Sequence, residues 1–132
     1  MLSKIFTWWN GPTLGTLWTV GVNGRLVGKD EDGNRYFEAK TNKNSYDGRK
    51  RRWVLYNGYA EASKVSPDWH GWLHHTFDEP PTTEPLLRRK FELDHLPNLT
   101  GTPYAWTPAG SIKRGGERAA ATGDYEAWKP DA

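Results

Sequence analysis

At 132 residues the chain has room for one modest domain, and with 36 % hydrophobic residues its core must be small. A formal net charge of +2 supplies no general pull on nucleic acid. The absence of cysteine excludes disulfides, thiolate zinc sites, cluster ligation by cysteine of this chain and any cysteine nucleophile.

In chain order, MLSKIFTWWNGP lacks the apolar run and small-residue cleavage site of a secretory signal, and no stretch of the chain is long and apolar enough to span a bilayer. Ile5, Phe6, Trp8 and Trp9 form an apolar cluster. Its face is too short to favour a membrane surface over packing, which leaves peripheral lipid contact as the lesser alternative. Pro12 is placed to open a short helix through about Val20, weakened by Gly15.

Residues 25–57 carry the sheet. RLVGKD, the turn Glu31-Asp32-Gly33-Asn34 and RYFEAK read as a hairpin, because Asp-Gly between two such runs favours a tight reversal. RRWVLYNG, rich in β-branched and aromatic residues, supplies a third strand. Ser66 as cap, Pro67 in the first turn and Asp68 behind it predict a helix over 66–77, stopped before Pro80-Pro81. Residues 80–132 hold seven of the nine prolines, with Phe91, Tyr104, Trp106, Tyr125 and Trp128 spaced between them. The expected fold is α+β: a three-stranded antiparallel meander with short helices over 1–79, then an extended tail over 80–132 that wraps a partner.

SPDWHGWLHHTFDEPP, from Ser66, invites a catalytic or metal reading. His70 and His74 share a helical face, but Gly71 stands where the zincin pattern requires a general-base Glu, and no third ligand is evident. The turn Asp30–Asn34 resembles a calcium loop whose glycine comes too early, and GPTLGT lacks the lysine and spacing of a phosphate loop. No G-x-S-x-G elbow is present. Arg49-Lys50-Arg51-Arg52 beside Trp53 and Tyr56 is the basis of a nucleic-acid reading, a basic run with stacking platforms, opposed by the near-neutral balance. A third class fits the composition better. Eight Trp on so small a core imply indoles that a partner covers, since Trp, Tyr and Arg concentrate where one protein grips another. The expected interface residues are Trp8, Trp9, Trp53, Trp69, His70, Trp72, Leu73, His74, Arg88, Arg89, Phe91, Tyr104, Trp106, Tyr125 and Trp128, with Trp69, Trp72 and Leu73 as the anchoring face.

LVGKDEDGNRYFE, RRWVLY, VSPDWHGWLHH, DEPPTTEPL, RRKF and HLPNLTGTPYAWTP follow one another over most of the chain, and ATGDYEAWKP closes it. In this order and spacing the sequence resembles the 17.2 kDa-type accessory subunit family of respiratory complex I, NADH:ubiquinone oxidoreductase, in its bacterial branch. The resemblance implies a non-catalytic subunit without cofactor or metal. It would stabilise or assemble the hydrophilic arm where the NADH-oxidising and quinone-reducing modules meet, with the ferredoxin-like iron–sulfur subunit as partner. Its place would be the cytoplasmic side of the bacterial membrane, or the matrix side in mitochondria. An assembly factor for the same complex is the alternative within that resemblance.

Overall fold

Thr13, not Pro12, opens the first helix. Its hydroxyl accepts the Thr16 N–H at 3.2 Å and its carbonyl accepts the Leu17 N–H at 3.0 Å, closing two of the donors that a helix start leaves free. In the computed structural model, which describes residues 5, 11–43, 45, 47–125 and 128–130, helix α1 therefore runs Leu14–Asn23. It starts and ends later than the proline suggests. Phe6, Trp8 and Trp9 lie outside the described residues. Gly24 lets helix pass directly into strand, since a Cβ there would come within 2.6 Å of the Val20 carbonyl oxygen.

Strands β1 (Gly24–Lys29), β2 (Arg35–Ala39) and β3 (Arg52–Leu55) form one antiparallel sheet in the order β1-β2-β3. The expected meander is present. Its hairpin closes by Asp30 N–H to Asn34 O and Gly33 N–H to Asp30 O, each 3.1 Å, with Gly33 at φ 82. The register shifts between Leu26 and Gly28, a bulge that sets Gly28 opposite Tyr36. A Cβ at Gly28 would lie 2.7 Å from Trp69 Cη2 and 2.9 Å from Thr82 Cγ2. Gly28→Ala should therefore cost about 1–3 kcal/mol by overpacking. A urea midpoint that does not move would mean that Trp69 is not seated on this strand.

Helix α2, Pro67–Leu73, is shorter than its start signals promise. Ser66 occupies the cap position without a side-chain capping bond. The helix ends because His75 takes a left-handed conformation, φ 58, with His75 N–H on Trp72 O at 3.0 Å and Thr76 N–H on Gly71 O at 2.9 Å. This paired closure normally uses glycine. What holds a histidine there is the packing after it. The Phe77 ring fills the space above Gly71, where a Cβ would come within 2.4 Å of Phe77 Cε1. Phe77 then joins the core of Tyr36, Val65, Trp69 and Trp72.

The chain divides into two units, residues 1–98 and 99–132. Segment 80–98 is tied within the first: His95 Nε2 donates to Ser63 O at 2.8 Å, and the Asn98 N–H donates to Ser63 Oγ at 3.0 Å. The described residues of the second unit have little regular structure. It contains a 3₁₀ turn, Ile112–Arg114, capped by Ser111, and an ion pair between Arg118 and Asp124.

Candidate functional site

Three aromatic rings organise the first unit. Tyr36 stacks on Trp69 with centroids 4.0 Å apart and planes 6° from parallel. Trp72 meets both edge-on, at 6.4 Å and 5.5 Å. Offset stacking and edge contacts are the favoured arrangements of such rings. Trp72 is 1 % exposed, Trp69 is buried beside it, and Leu73 packs half-buried against the same cluster. The expected anchoring face of Trp69, Trp72 and Leu73 is thus corrected. Those side chains fill this chain's own core, because a sheet of three short strands has few other large residues to cover it.

On the Asp30 side of that core the polar groups are paired. The Tyr36 hydroxyl donates to Asp30 Oδ2 at 2.7 Å. Burial first, and then the bond to the Asp30 carboxylate, push the phenol far above its usual range, so it stays a neutral donor. Buried Asn34 donates from Nδ2 to Asp30 Oδ2 at 2.8 Å and to Lys64 O at 3.2 Å, and its Oδ1 accepts the Asn57 N–H at 2.9 Å. One asparagine pins the hairpin turn to the segment before α2.

Arg52 joins the aromatic core to the charged surface. Its guanidinium lies 4.5 Å from the Trp72 ring centroid and donates to Trp72 O at 2.5 Å, Phe77 O at 3.1 Å and Asp78 O at 3.1 Å. Cross-strand register places Glu38 between Arg25 and Arg52. Three cations meet that carboxylate: Arg25 at 3.5 Å, Arg52 at 3.5 Å and Lys50 at 3.6 Å. Arg25, Glu38, Arg49, Lys50, Arg52, His75, Asp78 and Glu79 line a cleft of about 590 Å³, in which the Asp78 carboxylate stands 3.7 Å from the Arg52 guanidinium.

The other expected residues are scattered. Arg52 points inward, whereas neighbouring Trp53 lies half-buried on the opposite sheet face, in rank with Phe37 and Leu26. Arg52 and the stacking candidate Trp53 therefore do not share one face, as a single-strand nucleic-acid groove would need of them. His70 and His74 stand outward with ring centroids 4.2 Å apart; among the described residues no group of three or more His, Asp or Glu gathers into a metal site. Arg88 bonds to Asp68 at 3.3 Å, and Arg89 and Phe91 are exposed. In the second unit Tyr104 and Tyr125 are exposed, with Trp106 at 83 % and Trp128 at 79 %. Sequence reasoning missed exposed Trp18, which with Leu14 and Val22 makes an outward stripe on α1 at a spacing of four. It also missed the Arg25–Glu38–Arg52 rank, for which strand alternation was the available signal.

The family model described as NADH ubiquinone oxidoreductase subunit NDUFA12 matches residues 24–130. The chain belongs to that family. Its members are accessory, non-catalytic subunits of complex I. The chain is similar to NADH dehydrogenase (ubiquinone) 1 alpha subcomplex subunit 12 of Bos taurus, 40 % identical over 101 residues, which cover 69 % of this chain and 67 % of that protein. The Arabidopsis thaliana protein of similar name is 32 % identical over 117 residues, covering 83 % and 69 %. An uncharacterised Rickettsia prowazekii protein is 46 % identical over 61 residues, covering 46 % and 60 %, consistent with a bacterial branch of the family. Among the described residues no helix is long and apolar enough to cross a membrane, in keeping with a peripheral subunit of the family's complex.

Proposed function

We propose that this chain stabilises the hydrophilic arm of complex I at the junction of its NADH-oxidising and quinone-reducing modules. There it binds the ferredoxin-like iron–sulfur subunit, on the cytoplasmic side of a bacterial membrane or the matrix side of a mitochondrial one. The observation that carries this reading is the state of the second unit. Tyr104, Trp106, Tyr125 and Trp128 all lie inside the region that matches the family, and all are exposed on a segment with almost no regular structure. Large aromatics are the side chains that supply most binding energy when a partner closes over them. A segment already stiffened by prolines loses less entropy on being fixed.

The reading is tested on the native, untagged chain by mass spectrometry of what accompanies it from solubilised membranes, with cross-linking to identify neighbours. Complex I subunits should accompany it, and the iron–sulfur subunit should be cross-linked. A chain that migrates alone would end the proposal; cross-links confined to other subunits would end its placement. Trp106→Ala with Trp128→Ala should weaken retention by about 2–4 kcal/mol for each indole that a partner buries. Undiminished retention would show that the tail's indoles do not make the contact.

A further inference from the structure

We propose that the cleft lined by Arg25, Arg49 and Lys50 receives the carboxylates of an acidic segment on a neighbouring subunit, an inference that rests on the chain being a subunit of the complex. The three cations stand exposed on β1 and just before β3, around the half-buried Glu38. Their contacts with acids are long: 3.5 Å from Arg25 to Glu38, 3.6 Å from Lys50 to Glu38 and 3.8 Å from Arg49 to Asp47. Among the described residues none of the three side chains makes a hydrogen bond. Beneath them the Arg52 side chain is 5 % exposed, and its Nε–H has no hydrogen-bond partner despite lying 3.5 Å from Glu38. Three cations thus crowd one carboxylate at ion-pair distance without a hydrogen bond to it, and one Arg52 N–H is buried and unpaired. Native structures seldom leave a buried N–H unmet, and the exposed cations above it remain available to further carboxylates.

The local field agrees. His75, in the same lining, is held below its ordinary pKa by burial and then by the charges of Arg52 and Arg49, which outweigh Asp47 and Asp78. The acids in the lining decide what kind of anion fits. Asp78 and Glu79 would repel a dense phosphate surface, but they suit a peptide that offers carboxylates to Arg25 and Lys50 and amide or basic groups to the two acids.

The experiment follows release of the chain from solubilised, intact complex I along a sodium chloride series. Arg25→Gln with Lys50→Gln should leave at about half the salt concentration that releases the unaltered chain, as expected for lost charge pairing. Glu38→Gln, which removes the competing carboxylate, should leave at higher salt. Arg49→Gln touches only a surface contact and should shift release as the double variant does, more weakly, which keeps the test independent of folding. Release of all three variants at the salt that frees the unaltered chain overturns the proposal while leaving the subunit role intact. An unaltered chain absent from complex I at every salt concentration removes the subunit role and the proposal together. Vesicles of phosphatidylserine provide the other arm: binding by the unaltered chain that Arg25→Gln with Lys50→Gln abolishes would assign the cleft to lipid and overturn the acidic-segment reading.

Discussion

Trp72→Ala should remove about 3–5 kcal/mol from the stability of the first unit, the usual cost of emptying a large buried aromatic site. The indole is 1 % exposed and packs edge-on against Tyr36 and Trp69. It also lies beneath the Arg52 guanidinium, so its loss opens a cavity and takes away a cation–π contact in one step. Small domains are stable by only about 5–15 kcal/mol, and a change of this size consumes much of that margin. Denaturant unfolding of the full chain, followed by tryptophan fluorescence and far-ultraviolet circular dichroism, measures it. A loss below about 1.5 kcal/mol would mean that the surroundings collapse into the space or that the indole is not a core residue.

Arg52→Met should cost about 3 kcal/mol, because it strands several partners together. The carbonyls of Trp72, Phe77 and Asp78 lose their shared donor, and Glu38 loses the most buried of its three cations. Arg52→Lys separates charge from shape. An ammonium keeps the charge near Glu38, but it cannot lie flat over Trp72 while donating in a fork to three carbonyls. The lysine variant should therefore recover less than half of the loss in the same denaturant experiment. Wild-type stability in Arg52→Lys would show that charge alone matters at this position and that the carbonyl contacts contribute little.

Both predictions concern residues whose roles were hard to read beforehand. Trp72 belongs to a helix whose start was legible in Ser66, Pro67 and Asp68, but whose end was not. A left-handed turn is normally marked by glycine, and here His75 takes it because Phe77 must fold back over Gly71. Trp69 and Trp72 share one face of α2, and that face packs on Tyr36 and Val65 of this chain, with Phe77 folded in beside them. Arg52 likewise read as one member of a surface run. Strand alternation alone puts it on the face opposite Trp53, but its contacts with Glu38, Trp72, Phe77 and Asp78 come from segments remote in sequence.

The three-stranded meander, its Asp-Gly turn and the exposure of the tail's aromatics were settled by local chemistry. Turn residues, strand alternation and a proline-rich composition act over a few neighbouring residues and need no distant contact. The order of the sequence blocks likewise sufficed to place the chain in its complex I subunit family. Only the tertiary structure divided the tryptophans between core and surface. Burial depends on which segments return to cover a side chain, and Trp69 and Trp106 carry the same indole to opposite outcomes.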